Sequence, residues 1–258
     1  MLNLIKYEFI KKSKLIFITL IISLAINVLL ITRGAGGSAM FLGLFPLIMS
    51  VFYVVDILKM YSDDLNRKSG YMLFMTPNSG YKIIVSKILT AIIEGFGLLL
   101  LYFIYVLING AFILYEAGAQ LDFNFNEVIA AINNLLSGNL GFNLGHVFMF
   151  LITGLLFLVS FLTTAYTAMT VRKSVFSEIK FGGALSFVIF LLINWALTAV
   201  SAEIFDLLTP YYNYIDFTAR PAAQDLVYIF MPINVLSLIQ IVILTFCSGY
   251  LLEKKINL

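Results

Sequence analysis

Cysteine and histidine are almost missing from this chain: its 258 residues hold one of each, Cys247 and His146. That excludes a disulfide framework and any metal centre built from His or Cys clusters. Charge is scarce as well, at 12% of residues, about half of what a soluble domain carries. No G-x-x-x-x-G-K-[ST] run occurs, so there is no Walker A loop to cradle phosphates. With one histidine, one cysteine and no pair of carboxylates on any one apolar run, proteolysis and metal-assisted hydrolysis lack their residues.

What the chain has in excess is apolar sequence. Hydrophobic residues make up 61%, and the mean hydropathy is +1.00. A soluble core of this size cannot hide so much apolar surface, so lipid is the expected solvent. About 20 apolar residues cross the hydrocarbon core as a helix. Six runs approach or exceed that length: 15–32, 40–58, 83–108, 147–171, 183–200 and 226–252. The third and fourth are long enough to tilt or to project. None shows the alternation that a membrane barrel requires, so the fold class is all-α integral membrane with six transmembrane helices. The run MLNLIKYEFIKKSK stays charged for too long, and no small-residue cleavage site follows its apolar continuation. A removed signal peptide is therefore not expected.

Basic residues orient the spans. Lys6, Lys11, Lys12 and Lys14 precede the first run; Lys59, Arg67, Lys68, Lys82 and Lys87 sit around the gap between the second and third. Arg172, Lys173 and Lys180 separate the fourth from the fifth, and Lys254 and Lys255 follow the sixth. These are 14 of the 16 Lys and Arg residues, against Arg33 and Arg220 on the other side. The positive-inside rule then puts both termini in the cytoplasm.

Two outer segments are longer than a turn requires. Within 117–146, Asn126 is placed to cap a short helix, with Val128, Ile129, Ile132, Leu135 and Leu136 at helical spacing. Segment 202–225 mixes apolar Ile204, Phe205, Leu207 and Leu208 with Pro210 and three tyrosines. It reads as a re-entrant or interfacial element between spans five and six, or else as a structured external cap.

On the cytoplasmic side, Leu2, Ile5 and Phe9 form an apolar stripe, with Lys6, Lys11 and Lys14 off it and Lys12 at its border. Residues 1–14 are then either an interfacial helix or a basic flank of the first span. Residues 62–87 form a polar island between two membrane-length runs. A short helix over 65–75 carries Tyr71, Met72, Phe74 and Met75 beside Arg67 and Lys68, and Thr76-Pro77 stops it. Such a knob suits a partner's groove, or it lies flat on lipid; spacing leaves both open.

Charges inside the spans are costly and should face protein or water. Asp56 lies near the cytoplasmic end of span two and Glu94 about three turns into span three. Both are candidates for a vestibule or for pairing with Lys59 or Lys87. Asp56 is expected to be simply solvated and Glu94 to be buried. Asn27, Asn194, Asn234 and Gln240 are expected to bond between helices, and His146 to sit at a helix end.

The run Asp64-Leu65-Asn66-Arg67-Lys68-Ser69-Gly70-Tyr71-Met72-Leu73-Phe74-Met75-Thr76-Pro77-Asn78-Ser79-Gly80-Tyr81-Lys82, followed by Ser86-Lys87-Ile88-Leu89, resembles the link between the second and third spans of bacterial ABC-2 type transporter permeases. The small Gram-positive exporters of amphipathic peptides, such as phenol-soluble modulins and lantibiotics, look most similar. The resemblance implies that 1–258 is one transmembrane domain in the bacterial plasma membrane, with residues 1–14 as an interfacial helix. It implies a coupling helix over Arg67, Lys68, Ser69, Gly70, Tyr71, Met72, Leu73, Phe74 and Met75 that contacts a separate ATPase subunit. It further implies a second permease copy or paralogue, a peptide or amphipathic substrate, and ATP and Mg bound by the partner. No cofactor, catalytic residue or metal is expected in this chain, and no nucleic acid partner. The alternative reading is an ion-coupled secondary transporter using Asp56 or Glu94.

The charge partition predicts the outcome of cysteine labelling in intact cells, in a background where Cys247 is replaced by serine. Cysteines introduced at 122 and 216 should react with an impermeant reagent, and those at 68 and 173 should not. The reverse pattern would overturn the orientation.

Overall fold

The computed structural model describes residues 2–66, 79–116, 118, 130, 133–134, 144–176, 182–208 and 223–254. Among the described residues there are six long helices and no strand. They are α1 (Leu2–Ile31), α2 (Ala35–Asn66), α3 (Gly80–Glu116), α4 (Leu144–Val175), α5 (Gly182–Leu207) and α6 (Ala223–Lys254). Each is long and apolar enough to cross a membrane, the layout of a multi-pass membrane protein. A helix satisfies its own backbone donors and acceptors, which is what a segment without water must do.

The helices overrun the six apolar runs at both ends, except that α1 stops at Ile31, one residue short of its run. α3 has 37 residues, about 55 Å at helical rise, against a hydrocarbon core of about 30 Å. α1 is unbroken through residues 14 and 15, so residues 2–14 continue the axis of the first span. Ala202–Leu207, expected to open the element after span five, is instead the end of α5. Its apolar residues keep helical spacing, and nothing breaks the helix before Pro210. The rest of that element, residues 209–222, lies outside the described residues, as does most of the expected outer helix.

The chain divides into two units. The first comprises Met1–Asp63 and Val85–Phe123, hence α1, most of α2 and most of α3. A three-residue turn joins α1 to α2, and Gly34 takes φ +82 there, a left-handed conformation open to glycine. Its N–H donates to the Ile31 carbonyl at 3.0 Å. Further along, Phe41, Phe45 and Tyr105 cluster with ring centroids 5.0–5.1 Å apart. The Ser23 and Tyr105 hydroxyls are 2.8 Å apart, both buried. Pro46 lies inside α2 and has no N–H for the Leu42 carbonyl four residues back. The Tyr102 hydroxyl donates to that carbonyl instead, at 3.2 Å.

The second unit comprises Asp64–Ile84 and Asn124–Leu258. Its α4 packs against both α5 and α6. The packed face of α4 is rich in small hydroxyl residues: Thr163, Thr164, Thr167 and Thr170 are buried. Each donates back to a carbonyl of its own helix, so the face can be small and polar without leaving donors unmet. Thr167 also reaches across to the Leu244 carbonyl on α6 at 3.2 Å. Gln240 of α6 donates to Ser201 of α5 at 3.0 Å and accepts from Ser160 of α4 at 3.4 Å. The first turn of α3 meets α6 where Gly249 faces the ring of Tyr81.

A Cβ at Gly249 would run into that ring, whereas one at Gly154 has open space. Gly249→Ala should therefore lower the melting temperature of the detergent-purified chain, and Gly154→Ala should not. Equal melting curves for the two would show that this close approach carries no packing.

Candidate functional site

Some polar residues of α1 face inwards, although Asn3, Lys6, Lys11 and Lys14 near its start are exposed. Glu8, Lys12, Ser23 and Asn27 are its buried residues, and helical geometry gathers them within an arc of about 100°. The opposite face carries Ile10, Phe17, Ile21 and Leu24, all exposed. Leu2, on the expected apolar stripe, is 81% exposed. Beyond Lys14, α1 is thus polar inside and apolar outside, the reverse of a helix on a soluble protein. Lipid around the helix accounts for the reversal.

Within the first unit, the inward charges of α1 meet charges on α2 and α3. Lys12 Nζ pairs with Asp56 Oδ2 on α2 and with Glu94 Oε2 on α3, the latter at 2.8 Å. Side-chain exposure is 8% for Lys12 and 11% for each carboxylate. One turn nearer the N-terminus, Glu8 Oε1 pairs with Lys87 Nζ, and both side chains are almost fully enclosed. Helical spacing sets this up. Glu8 and Lys12 are four apart on α1, and Lys87 and Glu94 are seven apart on α3, so each pair shares a face. α1 and α3 are therefore in parallel register, with two charge levels matched between them.

Tyr53 fixes α2 against α3 at the same level. Its hydroxyl donates to the Ala91 carbonyl at 2.6 Å, and a Cβ at Gly95 would lie 2.8 Å from that hydroxyl. Glycine next to Glu94 is what lets the tyrosine come so close.

These findings correct the expected pairings. Asp56 is buried and ion-paired where simple solvation was expected, and its partner is Lys12, not Lys59 or Lys87. Lys59 is exposed. Glu94 is enclosed as expected, with Lys12 as its cation. Sequence reading missed Glu8 and Lys12 as site residues, and it offered Lys87 to Asp56 or Glu94 where the structure pairs it with Glu8. A signal did exist: Glu8 is the one acid within residues 1–14, one helical turn before Lys12.

Of the expected interhelical amides, Gln240 bridges helices as described. Among the described residues, Asn234 reaches only the sulfur of Met149, at 3.9 Å. Asn194 is exposed, and Asn27 is buried with no partner for Nδ2 among the described residues. His146 falls in the first turn of α4. The segment Arg67 to Met75, expected to couple to a partner, lies outside the described residues, between the end of α2 and the start of α3. Among the described residues no group of three or more His, Cys, Asp or Glu is placed to hold a metal ion. Comparison with models of protein families, with curated proteins and with solved structures returns no match.

Removing one member of a buried ion pair strands its partner, which costs about 3–5 kcal/mol. Lys12→Met should therefore destabilise the chain by that order in denaturant titration of the solubilised protein. Adding Glu94→Gln to Lys12→Met should restore part of the loss, because one stranded charge is removed. Strict additivity of the two substitutions would mean that the residues do not interact.

Proposed function

We propose that this chain is the transmembrane subunit of an ATP-driven ABC exporter, with both termini in the cytoplasm of a bacterial cell. It works as a pair of permeases, two copies or two paralogues, joined to separate ATPase subunits. The observation that carries the reading is the polar run 64–82, which resembles the coupling segment of ABC-2 permeases and falls between two membrane-length helices. The missing Walker A loop fits an arrangement in which another chain binds ATP and Mg. The abundance of Phe (24) and Met (9) favours an apolar or amphipathic cargo such as a peptide.

On this reading Arg67–Met75 docks into the ATPase, and closure of two ATPase subunits draws two such helices together. Residues 2–14 form the cytoplasmic beginning of α1, with Lys6, Lys11 and Lys14 at the lipid headgroups and Lys12 turned inwards. The segment after α5 dips into the outer leaflet as a re-entrant element.

The second reading, an ion-coupled transporter using Asp56 or Glu94, draws on the burial of both carboxylates. Lys12 already occupies them, so they form a closed pair of contacts and not an open path. That favours the exporter.

The test starts from the neighbouring reading frames, one of which should encode a Walker A ATPase, and proceeds by co-expression with it. The purified single chain should hydrolyse no ATP, and the complex should show ATP turnover stimulated by an amphipathic peptide. Phe74→Ala removes an anchor of the docking helix. Anchors of this kind cost about 2 kcal/mol or more, which weakens assembly roughly thirty-fold. Phe74→Leu should be milder. Unchanged affinity and turnover for Phe74→Ala and Tyr71→Ala would remove this segment from the coupling role, and ATP-independent, protonophore-sensitive transport would establish the second reading.

A further inference from the structure

Three buried polar side chains of the first unit each carry an atom with no hydrogen bond. Asn27 on α1, Ser38 on α2 and Asn109 on α3 are 3%, 0% and 0% exposed. Among the described residues, Asn27 Nδ2, Ser38 Oγ and Asn109 Oδ1 have no partner. The serine is the most unusual, since a helical serine can turn its hydroxyl onto a carbonyl one turn back. An unmet polar atom is costly when buried, and more so where lipid surrounds the helices.

Helix register brings the three together. Lys12 pairs with Glu94, and Ser23 meets Tyr105, at one constant separation of 82 residues. Asn27 and Asn109 keep the same separation, each four residues beyond the Ser23–Tyr105 contact, which is about 6 Å along the axis. On α2, which runs the opposite way, Phe41 and Phe45 both pack on Tyr105. Ser38 is one turn before Phe41 on the same face, so it comes level with Asn109. At this end the backbones of α1 and α2 touch. A Cβ at Gly37 would lie 2.1 Å from the Leu30 carbonyl oxygen, and Leu30 is one turn from Asn27. Asn109 Nδ2 donates to the Tyr105 carbonyl at 2.9 Å, which leaves Oδ1 as the atom to be met.

What meets all three must both donate and accept. Asn27 Nδ2 only donates, Asn109 Oδ1 only accepts, and Ser38 Oγ does either. A cation is opposed by the Asn27 amide protons, and hard cations need six or more oxygens, where this set offers two unmet ones. An anion finds no positive charge here and is opposed by Asn109 Oδ1. The two asparagines set a donor opposite an acceptor, yet the two atoms do not bond. A single water spans such a gap.

We propose that Asn27, Ser38 and Asn109 form a binding site for a water molecule that bridges α1, α2 and α3. The water accepts from Asn27 Nδ2, donates to Asn109 Oδ1 and shares a hydrogen bond with Ser38, within the two to four partners that a buried water takes. Ser38 precedes the apolar run 40–58 and Asn109 follows the run 83–108, so the site lies at the edge of the hydrocarbon core, where water is close. Enclosure of all three side chains keeps this molecule apart from the bulk. The bridge ties the three helices at the end opposite Lys12. It involves no cargo and no ATPase, so it goes beyond the exporter reading and does not depend on it.

Solid-state NMR of the full-length chain in lipid bilayers, labelled with nitrogen-15 and carbon-13, tests this by following magnetisation from water to assigned amides. In the unsubstituted chain the side-chain amides of Asn27 and Asn109 should both receive it. Transfer should be several-fold faster than to the backbone amides of Leu29 and Leu107, which are exposed on the same helices. Ser38→Val, which replaces the hydroxyl with two methyl groups, should abolish transfer to both asparagines. Failure of transfer to either asparagine in the unsubstituted chain overturns the proposal without any variant. So does a direct contact between the two amides, read from nitrogen–carbon distances. Undiminished transfer to both asparagines in a folded Ser38→Val chain overturns the three-helix site.

Discussion

A bilayer offers no water to a polar group, and each unusual contact in the first unit answers that constraint. Pro46 leaves the Leu42 carbonyl without its helical donor, and the Tyr102 hydroxyl takes the vacant place. Tyr53 and Asn109 likewise turn hydroxyl and amide protons onto carbonyls of α3. Lys12, whose ammonium would be costly in hydrocarbon, is enclosed by two carboxylates from two other helices. Polar side chains turn inwards because their partners are there, and apolar ones turn out because lipid accepts them.

This explains which parts of the chain were legible in the sequence. The six spans follow from length and hydropathy, since a run that is apolar all round has one stable conformation in lipid. The helix ends were less legible. Residues past the end of an apolar run continue the helix when no breaker intervenes, as at Ala202–Leu207. The site was the least legible part. Local spacing offered Asp56 a partner three residues away in Lys59, but the true partner is 44 residues away on α1. That pairing depends on the register of three helices, which hydropathy does not encode.

The two units solve the same problem with different chemistry. In the second, the hydroxyls of α4 are met mainly by carbonyls of the same helix. Such a surface is satisfied wherever the neighbouring helix sits, so it permits close packing without demanding one register. The first unit's ion pairs behave in the opposite way. Moving α1 one turn along α3 would set Lys12 beside Lys87 and carry Glu8 away from Lys87, leaving Asp56 and Glu94 without Lys12. Since stranding buried charges costs far more than shifting hydroxyl contacts, the cluster admits few alternative arrangements. A hydroxyl-faced helix is suited to small adjustments and a charge-locked one to holding position. The fixed element of this chain is therefore the contact of α1 with α2 and α3 at Lys12, and the α4 face is where packing can change at least cost.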